Sequence, residues 1–520
     1  MRQADRIIVN VLSNYGLTLL AGVASMVLVP IAIRDLTLSG YGLAAMLVAI
    51  FAVIDTLGGS ISRAMQRRIP HDLASQDRSG VNKTFSSAMV GYAILGLLGA
   101  ATVWLVRDWY LDDPGLDEGL RADGRMAFAI LAGALLAASC VFAFRAGLES
   151  IQRFDLVVAH IGAGTLLRMV ALIVLFNVGL GSVALFVGTH VLAVMGSCML
   201  CRRALRKEIP QLAVSPRFLS KAIIGAVLAL AGANLLILVG NIMGNEGFRV
   251  LVGKGLGMEE VGGLSAVWTF RAMVFTLIRN MTNVLSPAVS ALDARGSDEN
   301  IAKLLLASTK YSVVAAASIC VVPIFVAAPF LKLWLGPDAE GLFVLLYVVL
   351  AAQVFVSLGG SSQQVMVGLG RLKFTGPIVF TRGALSLLVA GAYIRFVEPS
   401  LTGAAACLYT VLGIGHLVIF LHGARATGIP LSTALVNGLA RPLVLGMIGA
   451  ATTGAVAIFT GADQWWRLGA CVVAGEAVFV ILVIAVGLDQ EERIRVLSFL
   501  RRARSRVFPA ARTPSNQEES

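Results

Sequence analysis

Charge is what this sequence has least of. Only 14% of its 520 residues are Asp, Glu, Lys or Arg, against ~25% in an ordinary soluble domain. A soluble chain of this length needs far more polar surface to cover its core. With 57% hydrophobic residues, the shortage points to an integral membrane protein with many spans. Cysteine is also scarce. Cys140, Cys198, Cys201, Cys320, Cys407 and Cys471 all fall in or beside apolar runs, so no extracellular disulfide framework is expected. The CxxC of Cys198 and Cys201 ends an apolar helix without a partner pair and reads as small packing residues. No phosphate-binding loop is present. The nearest text, VGKGLG at 252–257, lacks the hydroxyl residue and follows no strand, so the chain is not expected to hydrolyse ATP by itself. His160, His190, His416 and His422 form no metal spacing and read as polar helix contacts. No cofactor is expected.

What is present is a succession of apolar segments, each near the ~20 residues that cross a bilayer as a helix. Fourteen are marked, at 8–33, 41–62, 85–106, 126–145, 155–177, 181–201, 220–243, 261–290, 311–331, 341–366, 375–395, 401–421, 440–460 and 466–487. The N-terminal MRQADRIIVN has the charge of a signal-peptide n-region. The apolar run behind it is too long for an h-region, so it is read as an uncleaved first span. The sequence thus predicts an all-α polytopic membrane protein.

The net charge of +12 has a membrane explanation. With a cytoplasmic N-terminus, and with the cations at span ends (Arg145, Lys221, Arg395, Arg441 and Arg467) counted with the adjoining loops, 29 Lys and Arg fall in inside segments, 9 in outside segments and 4 within spans. That asymmetry predicts both termini in the cytoplasm and needs no nucleic-acid partner. The longest outside loop, between Arg107 and Arg125, is acidic, and Asp112 and Asp113 within it read as a solvated pair. Beyond Asp489 a basic tail, with Ile494, Leu497 and Leu500 at helical spacing before RRARSR, predicts a short helix on anionic lipid.

Two matches at one offset suggest an internal repeat. Leu36 and Gly42 return 220 residues later as Leu256 and Gly262, and GLESIQRF at 147–154 resembles GLGRLKF at 368–374. The expected organisation is a lobe at 1–218 (spans 1–6), a second at 219–425 (spans 7–12), spans 13–14 at 426–488 and a cytoplasmic tail at 489–520. Each half has an even number of spans, so both halves share one orientation.

Four arginines fall inside spans: Arg168 in span 5, Arg271 and Arg279 in span 8, and Arg382 in span 11. A cation at the bilayer centre costs roughly 2.5–3.5 kcal/mol even on lenient insertion scales. Each therefore snorkels to an interface, pairs with an acid, or faces a wet cavity. Arg271 and Arg279 lie ~80° apart around a helix and ~12 Å apart along it, close enough to line one cavity at two depths. The intramembrane acids are few, Asp55 and Glu476. Either is a coupling-ion site or a charge partner, and for Asp55 the structural partner is favoured. Cationic excess predicts a site for an anionic head group, since the planar guanidinium fork suits phosphate.

The first two spans carry Pro30, Tyr41-Gly42 and Asp55-x-x-Gly58 before Arg63, and span 8 runs from Arg271 into SPAVSALDARG. These features resemble bacterial polysaccharide flippases of the multidrug/oligosaccharidyl-lipid/polysaccharide exporter superfamily, over essentially the whole chain. One departure is Thr37, where the family's loop usually has Gly after Leu. The resemblance implies a V-shaped pair of six-helix lobes in the bacterial inner membrane. It implies a cargo of undecaprenyl-diphosphate-linked oligosaccharide, moved from inner to outer leaflet by alternating access, and partnership with a polysaccharide polymerase and export machinery. Arg168, Arg271, Arg279 and Arg382 would then bind substrate. Rival readings are a drug/cation antiporter of the same superfamily, a membrane glycosyltransferase or polymerase using Asp112 and Asp113, and a non-transporting scaffold.

Overall fold

In a computed structural model, residues 3–494 and 498 are described, apart from 114, 283 and 284. The described residues are helical throughout, with no strand. Eleven helices are long and apolar enough to cross a membrane, or twelve if the bent pair Glu118–Ala137 and Cys140–Ser150 is one span. Large apolar side chains stand far out of the surface, among them Phe459 at 89% and Leu105 at 79% exposure. Such a surface is tolerable only against lipid.

The fourteen expected spans are found in order. Spans 1 and 2 form one helical run, Gln3–Ala74, broken at Thr37 (φ 65°, ψ 170°). The expected loop there does not exist, because a single residue outside the helical region turns the chain. Spans 3 to 6 are Arg78–Leu111, Glu118–Ser150, Phe154–Asn177 and Val183–Glu208. Span 7 covers 221–255, with a π-helical turn at Met243–Gly247. Span 8 is Met258–Thr282 followed by Leu285–Asp293. Span 9 is Asp298–Leu335. Spans 10 to 12 are Phe343–Gly368, Leu372–Phe396 and Leu401–Ala426. Spans 13 and 14 are Leu431–Thr460 and Trp465–Gly487. Short caps set several starts: Asp117, Ser182, Ser220 and Ser400 accept from the first-turn amides of spans 4, 6, 7 and 12.

Spans 2, 3, 4, 5 and 6 pack on one another, as do spans 7, 10, 11 and 12, while 13 and 14 pair and lie on span 9. The first helical run also packs along span 8, joining the two halves of the chain. That junction is tightest at the end away from the termini. A Cβ on Gly42 would lie 2.2 Å from Met258 O, and one on Gly262 would lie 2.1 Å from Leu38 O. Leu38 and Met258, like Gly42 and Gly262, are 220 residues apart. The contact is therefore reciprocal, as a two-fold relation between repeats requires.

The same end corrects the expectation for Asp113. It is 8% exposed and accepts from Gly115 N at 2.8 Å and from Met258 N at 3.2 Å. The loop is short enough to tuck its carboxylate under the start of span 8, so it is an inter-half contact rather than a solvated pair. Lys254 adds to the closure by donating to Trp109 O and lying 4.5 Å from the Trp109 ring centroid. Trp334 Nε1 donates to Met26 O at 2.7 Å. Cys198 and Cys201 are buried free thiols. At the opposite end Lys310 of span 9 pairs with Glu492, whose other oxygen accepts from Tyr311 at 2.9 Å. Leu497, Leu500 and the RRARSR stretch lie outside the described residues.

Candidate functional site

Just below the closed end, guanidinium groups from both halves converge on aromatic rings. Arg168 of span 5 lies 4.9 Å from the Phe186 ring centroid. Phe186 meets Tyr41 edge-on at 6.4 Å. Tyr41 is within electrostatic reach of both Arg168 and Arg249, and its hydroxyl meets Thr269 of span 8. From the second half, Arg249 and Arg271 flank one indole, at 4.8 and 5.1 Å from the Trp268 ring centroid. Aromatic faces partly offset the cost of cations held away from water.

Hydrogen bonding holds the second-half arginines in place. Arg271 donates to Asn245 Oδ1 at 2.7 Å. Arg249 pairs with Glu246 at 3.0 Å. Asn245 Nδ2 in turn donates to Asn241 O at 2.7 Å. Asn241 Oδ1 accepts from Arg382 at 2.8 Å, and Arg382 also meets His416 Nε2 at 2.8 Å. The π-helical turn at 243–247 widens span 7 where Asn245 and Glu246 point to their partners. Of the clustered arginines, Arg249 pairs with a carboxylate, Glu246, while Arg271 is held by an amide and Arg168 by an aromatic face. The Nε atoms of Arg168, Arg249 and Arg271 are buried without a hydrogen-bond partner. Donors left in that state are costly, and an anion with several acceptor oxygens would satisfy them.

The six sequence-derived residues do not all meet. Arg168 and Arg271 join the cluster. Arg382 is 5% exposed and lies inside the second half, where it braces Asn241. Arg279 is exposed, 5.4 Å from the Phe275 ring centroid, towards the end that bears the termini. Asp55 pairs at 3.0 Å with Arg145, which also reaches Glu149 at 3.3 Å. Its partner is thus none of the four intramembrane arginines. Glu476 accepts from Ser318 at 2.9 Å at the edge of a 310 Å³ apolar groove that also touches Phe270, Phe330, Leu346 and Leu468.

Arg249 was missed because the sequence places it outside the apolar run that ends near 243. The Asn241–Asn245–Glu246–Arg249 spacing is a signal that would have found it, since four polar residues recur there at helical intervals. Among the described residues no group of three or more His, Cys, Asp or Glu stands ready to hold a metal ion.

The fold has well-defined relatives. A structure titled lipid II flippase MurJ, inward closed conformation, superposes with a TM-score of 0.69 at 13% identity, covering 91% of this chain and 97% of that one. A multidrug resistance MATE family transporter of the MOP superfamily gives 0.65 at 15% identity when inward-facing, covering 81% and 98%. An outward-facing one gives 0.55 at 14% identity, covering 81% and 95%. No curated protein matches the sequence. Residues 32–338 match the family described as polysaccharide biosynthesis protein. An all-α polytopic chain with this fold, more than half of it matching that family, belongs to the polysaccharide biosynthesis protein family.

Proposed function

We propose that the protein is a flippase for a lipid-linked oligosaccharide, carrying an undecaprenyl-diphosphate-linked glycan from the inner to the outer leaflet of the bacterial inner membrane. The observation that carries this is the gathering of Arg168, Arg249 and Arg271 around Tyr41 and Trp268, each with a buried Nε that lacks a partner, and with Glu246 paired to Arg249. A diphosphate supplies paired oxygens and negative charge to such a set. The lipid chain stays in the bilayer, and the apolar groove beside Phe270 and Phe330 offers it a surface next to the Arg271 helix.

The working parts are two lobes, spans 1–6 and 7–12, that rock about the site. Closure at the Gly42–Gly262 end and the better superposition on an inward-facing relative support an inward-facing state. The basic excess of the other end supports cytoplasmic termini. Arg279 then greets the head group on entry, and Arg382 positions Asn241 rather than touching cargo.

Arg271→Ala should abolish or strongly reduce flipping at normal protein abundance, with a lipid-linked glycan accumulating in mass spectra of the membrane lipids. Arg271→Lys reports on geometry, since an ammonium keeps the charge but loses the fork. Full transport by both Arg168→Ala and Arg271→Ala would sink the anion-site reading. A cation antiporter is favoured only by the Asp55–Arg145–Glu149 group, in which two carboxylates face one guanidinium. Cation uptake lost in Asp55→Asn, with glycan lipids unchanged, would support that alternative.

A further inference from the structure

We infer that Thr37 is a strained hinge, held in its conformation only while the lobes are closed at the end away from the termini, so that it biases the protein towards opening there. Its φ of 65° and ψ of 170° lie in a region that essentially only glycine occupies. The repeat supplies the comparison. Residue 257, at the 220-residue offset from Thr37, is glycine and has φ +102°. Both halves thus make the same positive-φ turn, and only the second has the residue suited to it. Thr37 is exposed, so packing of its side chain does not offset the strain. Its recorded hydrogen bond is long, Oγ1 accepting from Gly40 N at 3.4 Å.

What holds the turn lies on either side of it. Leu36 is buried, the Leu38 carbonyl seats on Gly262, and Gly42 seats on the Met258 carbonyl. The last two are contacts between lobes. When they part, nothing on the second lobe fixes the turn. Thr37 then rotates into the extended region that a β-branched residue prefers. The strain is released only in the open form, so the closed-to-open ratio is lower than it would be with glycine. Strain of this kind corresponds to a factor of about 5- to 150-fold in that ratio. This rests on the alternating-access part of the proposed function.

The test is a distance distribution on the full-length protein in lipid nanodiscs, without substrate. Spin labels go on Asp117→Cys and Glu398→Cys, exposed loop positions at this end in different lobes, after the native cysteines are replaced by serine. Thr37→Gly should raise the closed-to-open ratio by about 5- to 150-fold. Gly257→Thr should lower it, and the new Cβ meets Asp113 Oδ2 only at an ordinary 3.9 Å. Gly257→Ala stands in should the threonine variant not assemble. Thr37→Ala keeps a Cβ in the strained turn but loses the Gly40 hydrogen bond, and should stay near the native ratio. Distributions unmoved by both the Thr37→Gly and the position-257 changes would overturn the hinge. So would a Thr37→Ala shift as large as that of Thr37→Gly. A single separation in every variant would overturn alternating access along with it. Two separations indifferent to residue 37 would overturn the hinge alone.

Discussion

Gly262→Ala should hold the two halves of the chain apart at the end away from the termini. The added Cβ would lie 2.1 Å from Leu38 O and 3.0 Å from the Leu38 carbonyl carbon. A carbon approaches a carbonyl oxygen to about 3.3 Å at the closest ordinary distance, so the backbones must separate by about 1 Å. Rotamer changes give no relief, because the obstructing oxygen is backbone, and packed interiors yield little. Over-packing of this order costs about 1–3 kcal/mol. The penalty falls on the closed form, lowering its population relative to the open form about 5- to 150-fold. On the proposed function, transport of the lipid-linked cargo should fall at least fivefold, about the lower end of that range. The melting temperature in detergent should change little, since packing within each half is untouched by the added methyl group. Gly42→Ala should behave alike, with its Cβ 2.2 Å from Met258 O. The double variant should be little worse than either single, because both break one reciprocal contact. A Gly262→Ala protein that transports at the native rate would refute the closure reasoning.

Other outcomes follow from the same contacts. Asn245→Ala should impair transport nearly as much as Arg271→Ala, since it removes the acceptor that aims Arg271; transport rates of the two variants at matched abundance check this, and a fully active Asn245→Ala would detach Arg271 from its brace. Arg145→Ala leaves Asp55 and Glu149 facing each other. It should destabilise by about 2 kcal/mol, below the ~3–5 of a fully buried broken pair because these groups keep some solvent, and thermal unfolding in detergent measures it. Glu492→Ala should lower the melting temperature more than Lys310→Met. The first leaves a buried ammonium with only Asp489, at 3.6 Å and mostly exposed, as its partner, and the second removes the ammonium; the reverse order would show that the pair carries no such weight.

The span pattern was legible because lipid enforces it: each crossing needs a long apolar run, and that is a property of consecutive residues. Thirteen Leu- and Val-rich segments after the first could be marked without knowing what they touch. The repeat was legible at Leu36, Gly42, Leu256 and Gly262, but not that Gly42 and Gly262 seat on each other's turns. Arg168 and Arg271 stood out as cations in apolar text. Arg249 did not, because its helix continues past the apolar window through a π-helical turn. Asp113 was misread because a loop's burial depends on what lies across from it, here Met258 N.

The sequence by itself determined the membrane class, the order of spans and the excess of positive charge within them. These follow from composition, window length and counting. Tertiary structure alone decided which charges act together. Arg382 and Arg271 look alike in sequence, yet one is sealed against Asn241 and His416 while the other shares Trp268 with Arg249. The reason is physical: a charge's role depends on the groups within a few ångströms of it, and those come from helices far apart along the chain.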